Sequence, residues 1–190
     1  MNTHGNRGMT FESLIENANE RYRLDRRAVV GKQHTLCKPL RDAEGRIAGA
    51  KYGGKATVDF VGRIGGRPVA FEAKDSNAGS IALKRVEEHQ CAVLDDWTKD
   101  PASVGFVLVS FRLLRFFVIP WEYWKAAKTA RETREPAIVA FPPMRTPWDL
   151  TCRASVKEDE LPAEWEARLG GRAGIGVDWL EAVTRLWGDI

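Results

Sequence analysis

The sequence predicts one α/β domain spanning residues 1–190, with a mixed central β-sheet flanked by helices. Three observations carry this prediction. Apolar residues recur at helical spacing in separate stretches, and between them lie short runs rich in Val, Ile and Phe, of strand length. The coarse order α-β-(excursion)-β-β-α-β-β-α alternates the two types. A composition of 44% hydrophobic and 29% charged residues over 190 residues is enough for one ordinary hydrophobic core.

Taken in order, Thr10 is placed to cap a helix over residues 10–23, whose apolar stripe is Phe11, Leu14, Ile15, Ala18 and Tyr22. Residues 28–36 (AVVGKQHTL) read as a strand. Residues 37–55 hold four glycines and five basic residues with no sustained period, which marks a protruding arm. Residues 56–74 (ATVDFVGRIGGRPVAFEAK) read as two strands turning at Gly65-Gly66, because Gly reaches the φ > 0 conformations of tight hairpin turns. A helix over 80–97 is expected next, with Val86, Val93, Leu94 and Trp97 inward and the amide Gln90 on the same face. Residues 104–111 and 113–119 are apolar enough to be central strands, and Pro120 suits the start of a helix over 121–130. Residues 135–190 are less legible, apart from a last amphipathic helix over 178–187.

The net charge is only +3, but residues 21–55 hold ten Lys or Arg against three acids. A basic segment of that kind suits a polyanionic partner, since each neutralised phosphate releases a condensed counterion. No apolar run reaches the roughly 20 residues that span a bilayer, and the N-terminus carries no signal-peptide core. The cysteines, Cys37, Cys91 and Cys152, are odd in number and widely spaced, so neither a zinc motif nor a disulfide framework is indicated. A reducing cytoplasm is the expected compartment, with no membrane partner.

The hairpin carries the chemistry. If Gly65 and Gly66 form the turn, Asp59 falls opposite Glu72 and Thr57 opposite Lys74, all four on one face. Directly opposed like charges are destabilising, so two carboxylates there imply a cation or a proton between them. Asp59 followed by Glu72-Ala73-Lys74 has the form of the PD-(D/E)xK nuclease signature, with Val58 where proline is usual.

Further motifs extend the likeness. NRGMTFESLIENAN (6–19), Thr57-x-Asp59, FEAK (71–74), His89-Gln90 and FVIPWEYW (117–124) together resemble the RecU-type Holliday-junction resolvases, in order over roughly residues 5–130. The resemblance implies a restriction-endonuclease-like sheet. It implies Thr57, Asp59, Glu72 and Gln90 around a Mg²⁺ ion, which Mn²⁺ would replace, and Lys74 as stabiliser of the transition state. It also implies that Glu12 holds metal or a water bound to it. Two hard carboxylates suit Mg²⁺, and Lys74 is of the right charge to orient water or neutralise a phosphoryl oxygen. The arm at 37–55 would enter a four-way junction, with Arg7, Lys38, Arg41, Arg46, Lys51 and Lys55 as DNA contacts. Paired symmetric cuts would require a homodimer, and a recombinase is an implied partner. Two other readings stay open. One is a nuclease of this fold acting on other DNA by nicking, flap removal or restriction-like cleavage. The other is a non-catalytic junction-binding modulator of recombination.

Overall fold

A computed structural model describes residues 10–34, 37–53, 57–135, 137–140, 147–150, 154–169 and 176–188. Thr10 caps helix α1 (Phe11–Leu24), its hydroxyl oxygen accepting the Ser13 N–H at 3.2 Å. The expected stripe of Phe11, Leu14, Ile15, Ala18 and Tyr22 is buried. Strand β1 (Ala28–Lys32) is shorter than the expected 28–36. The Gln33 N–H still reaches the Asp59 carbonyl at 2.7 Å, but His34 is exposed and outside the strand. Strands β2 (Cys37–Arg41) and β3 (Ile47–Tyr52) pair antiparallel in a two-stranded sheet of their own. This hairpin occupies most of the stretch 37–55 expected to form an arm, of which residues 54 and 55 lie outside the described residues. Its tip is closed by Gly45 at φ +80° and by Asp42, whose Oδ1 accepts the N–H groups of Glu44 and Arg46.

Strands β4 (Phe60–Ile64) and β5 (Arg67–Ser76) form the hairpin about Gly65-Gly66, with Gly65 at φ +56°. Their register runs from Ile64↔Arg67 to Phe60↔Phe71, the one the Gly-Gly turn predicts. The expected helix over 80–97 is corrected. Residues Ser80–Ala82 form strand β6, Leu83–Arg85 a 3-10 turn, and helix α2 spans only Glu88–Trp97. The chain is extended at Val86 and Glu87, and Glu87 closes a capping box with Gln90. Gln90 is therefore part of the helix start, which periodicity alone did not reveal.

Strand β7 (Val104–Phe111) runs parallel to β5, and β8 (Arg115–Pro120) antiparallel to β7. Helix α3 (Trp121–Thr133) follows Pro120 directly. Strands β9 (Ala137–Ala140) and β10 (Pro147–Leu150) pair with each other, and β11 (Ser155–Lys157) pairs with β6. Strand β12 (Glu166–Leu169) extends the main sheet beside β8, β13 (Val177–Asp178) follows it, and helix α4 (Trp179–Trp187) closes the chain. Among the described residues the main sheet has the order β1-β4-β5-β7-β8-β12-β13.

The core is built on this sheet. Phe60, Phe71 and Phe106 stack across β4, β5 and β7 with ring centroids 5.0 and 4.6 Å apart, and Trp179 of α4 lies 5.1 Å from Phe71. Each such fully buried ring contributes about 2–3 kcal/mol of apolar transfer energy. Tyr22 of α1 donates to Asp178 Oδ1 at 2.8 Å, and Trp179 Nε1 donates to Asn19 Oδ1 at 3.0 Å, so α1 and α4 are locked together over one face. Trp121, Trp124 and Trp165 are also buried, consistent with core roles for tryptophan. Arg112 and Arg115 both bind the buried Glu158, and Arg115 also binds the Glu166 carboxylate. No helix among the described residues is long and apolar enough to cross a membrane.

Candidate active site

The β4–β5 hairpin carries Asp59 and Glu72 to one place. Val58, at the position usual for proline, is buried and anchors the entry to β4. The ladder itself ends at Phe60↔Phe71, so Asp59 lies one step beyond it rather than in a regular strand pair. Instead the two acids interlock. The Asp59 N–H donates to Glu72 Oε2 at 3.1 Å, and the Ala73 N–H donates to Asp59 Oδ2 at 2.9 Å. Each carboxylate is thus held by the backbone of the other's strand. Thr57 sits outside the ladder and is exposed, so the expected pairing of Thr57 with Lys74 is not formed.

Glu72 is fully buried and takes two further donors on Oε1, Lys74 Nζ at 2.5 Å and Gln90 Nε2 at 2.6 Å. Lys74 lies two residues on along β5, on the same face of the strand. Gln90 spans two elements. Its Oε1 accepts the Glu87 N–H at 2.9 Å to start α2, while its amide reaches Glu72. The carbonyl oxygen expected to serve a metal is therefore engaged in capping, and Gln90 acts here as a donor to Glu72. Burial, and then the neighbouring Asp59 charge, push the Glu72 carboxyl up to about 7, against the downward pull of the Lys74 hydrogen bond.

The remaining expected residues divide clearly. Glu12 of α1 binds Lys32 Nζ at 2.6 Å, and this ion pair raises the Lys32 ammonium above its usual range, with a smaller contribution from Asp59. Glu12 is therefore linked to the site through Lys32, a residue the sequence reading missed. Lys32 pairs in register with Phe60, next to Asp59, but the β1–β4 pairing that brings it there has no local signature. On the arm, Lys38 and Lys51 are exposed and directly opposed across the ladder. Arg41 donates to the Gly45 carbonyl at 2.7 Å, and Arg46 is paired with Asp42 at 2.9 Å and Glu44 at 3.0 Å, so the charge of Arg46 is answered within the tip. Arg7 and Lys55 lie outside the described residues.

The donor set fits a hard divalent ion. Two interlocked carboxylates, one of them reluctant to ionise, match the way Mg²⁺ is bound through one or two carboxylates while keeping its waters. A cation there would relieve the repulsion that raises Glu72.

The family model described as Recombination protein U (RecU) matches residues 6–140. A protein of Oenococcus oeni named Holliday junction resolvase RecU is 27% identical over 144 residues, covering 70% of this chain and 73% of its own length. Proteins of the same name from Lactobacillus delbrueckii subsp. bulgaricus and Leuconostoc citreum are 33% and 34% identical, over 64% and 59% of this chain. The matches span 64% and 57% of those two relatives. Among solved structures, the Archaeoglobus fulgidus Holliday junction resolvase Hjc aligns with a TM-score of 0.30 at 16% identity, over 45% of this chain and 64% of that one.

Proposed function

The chain belongs to the recombination protein U family, and from that premise we propose that it is a Mg²⁺-dependent endonuclease that resolves four-way DNA junctions, with Mn²⁺ able to replace Mg²⁺. The observation that carries the reading is the interlocked Asp59–Glu72 pair with Lys74 on the same carboxylate. Asp59 and Glu72 would hold the ion, which when bound polarises a phosphate and lowers the pKa of an attacking water. The residues of the chain supply the rest. The three hydrogen bonds to Glu72, from Asp59, Lys74 and Gln90, fix its carboxylate before substrate arrives. Lys74, once shared with a phosphate, adds positive charge where negative charge develops. Lys32 orients Glu12 toward the same end of the sheet. Thr57 and Glu12 are proposed to complete the water network about the ion.

The arm from Cys37 to Tyr52 supplies a reason for preferring branched DNA. Lys38 and Lys51 face each other with like charge, a repulsion that an anion lying against them would relieve. We propose that the hairpin enters the open centre of the junction, and that two copies of the chain form a C2 dimer to cut opposed strands. A recombinase remains the proposed further partner, and the cytoplasm the proposed compartment. The test is cleavage, with Mg²⁺, of a mobile four-way junction beside a linear duplex of the same sequence at one salt concentration. Faster cutting of the junction supports resolution. Equal rates would favour a nuclease of other specificity, and junction binding without any cutting would favour a non-catalytic modulator.

A further inference from the structure

A second cationic centre lies at the opposite end of β4 from the carboxylates. Arg23, Arg26, Arg27 and Arg63 line an open cleft of about 310 Å³ beside Val29 and Gly65. Arg23 is answered by Glu20 at 2.6 Å. Among the described residues no carboxylate lies within ion-pairing distance of Arg26, Arg27 or Arg63. Arg27 is instead laid over the Tyr22 ring, 5.4 Å from its centroid. Arg26 is held at φ +57°, a conformation that L side chains rarely adopt, at the turn from α1 into β1. Three like charges gathered without an ion-paired acid among the described residues are the electrostatic complement of a polyanion.

Between this cluster and the active site run β1 and β4 at the edge of the main sheet. Side chains alternate along a strand, so Val61 and Arg63 project to the same face of β4, and Asp59 lies one residue before the strand begins. On the neighbouring edge strand Val29 pairs with Arg63 and Gly31 with Val61, which places them on that face too. Val29 is 51% exposed, Gly31 and Arg63 are exposed, and a Cβ added at Gly31 would meet nothing within 4 Å. A side-chain-free position of this kind admits close approach of another backbone. From Asp59 to Arg63 is four residues, about 13 Å at the rise of a strand, a span comparable to the axial rise of about four base pairs of B-form DNA.

We propose that this face of β1 and β4 seats one duplex arm of the DNA substrate, with Arg26, Arg27 and Arg63 holding backbone phosphates about 13 Å from the phosphate at Asp59. The proposal rests on the nuclease reading of the Asp59 site. It adds a docking surface separate from the 37–55 arm. Arginine suits the task because its guanidinium forks onto phosphate oxygens. Contacts of this kind set the position of the duplex and its salt dependence without reading sequence.

The test is equilibrium binding of a four-way junction in EDTA across a salt series, with the double variant Arg26→Gly/Arg63→Gln. Both side chains are without acid partners among the described residues, and glycine relieves the backbone at residue 26, so the variant is expected to fold. The expected result is binding about tenfold weaker at low salt and a log–log salt slope shallower by about 2, one for each lost phosphate contact. The charge-retaining Arg26→Lys/Arg63→Lys variant should recover the slope. Equal affinity and slope for the double variant and the unaltered chain overturns the docking surface. If the unaltered chain at the same time cuts the junction with Mg²⁺, the nuclease reading stands. If it binds with an arginine-dependent slope yet never cuts, the nuclease reading fails and the surface stands.

Discussion

Replacing Glu72 by Gln should make the metal-free protein more tolerant of alkaline pH while abolishing cleavage. The Glu72 carboxyl is fully buried beside Asp59, and its titration is raised from 4.5 to about 7. Below about pH 4.5 the group is protonated in both the folded and the unfolded chain. Between 4.5 and 7 the unfolded chain ionises readily and the folded chain resists, so stability falls as pH rises through that window. At about 1.4 kcal/mol for each tenfold change, the loss amounts to about 3 kcal/mol at most by about pH 8. A glutamine does not titrate and removes this loss. It also weakens the hydrogen bonds from Asp59, Lys74 and Gln90, at a pH-independent cost of about 1–2 kcal/mol. The informative quantity is therefore the swing in the stability difference between about pH 5 and pH 8. The Gln variant should gain about 2–3 kcal/mol on the unaltered protein across that range. Urea denaturation in EDTA, at intervals of about one pH unit through that range, measures it. A stability difference that stays constant with pH would refute the claim that Glu72 is held against ionisation.

Other perturbations test the surroundings of the site. Gln90→Glu keeps an acceptor for the Glu87 N–H but sets a second carboxylate against Glu72, where the amide now lies at 2.6 Å. The metal-free variant should melt several degrees lower at mildly alkaline pH and show a larger rise in Tm with Mg²⁺ than the unaltered chain, by differential scanning fluorimetry. Lys32→Ala removes the partner of Glu12 in a pair that is partly solvent-exposed. It should change stability by less than about 1 kcal/mol yet slow junction cleavage about tenfold, as a misplaced group near the reacting phosphate does. Glu158→Ala strips the buried carboxylate that binds Arg112 and Arg115. Chemical denaturation should show a loss of about 1–2 kcal/mol, since both arginines are partly exposed and Arg115 keeps Glu166.

What could be read from the sequence was what is set locally. The Gly65-Gly66 turn determined the register of β4 and β5, and with it the meeting of Asp59 and Glu72, because two-residue turns leave no slack in the pairing. The stripe of α1 and the amphipathic last helix were legible for a similar reason, each depending on spacing within one segment. The stretch at 80–97 was misread because Val86 falls at helical spacing from Val93, Leu94 and Trp97 but belongs to the extended link before α2. The start of α2 depends on Gln90, which the sequence marked for metal and the fold uses to hold Glu87 and Glu72 together. Lys32 and the Arg26–Arg27–Arg63 cluster escaped notice because both depend on the pairing of β1 with β4, two strands separated in sequence by the whole arm. The place of residues 166–169 at the edge of the main sheet was hidden for the same reason.

The most direct test of the account is a comparison of the unaltered chain with Asp59→Asn on a mobile four-way junction, measuring binding in EDTA and cutting in Mg²⁺. The substituted amide would keep a carbonyl oxygen as acceptor for the Ala73 N–H, so the hairpin should remain closed. Binding should then stay within about threefold, while the lost charge should lower cutting at least about 100-fold. Cutting by the purified variant at the unaltered rate would contradict the assignment of hydrolysis to the Asp59–Glu72 pair.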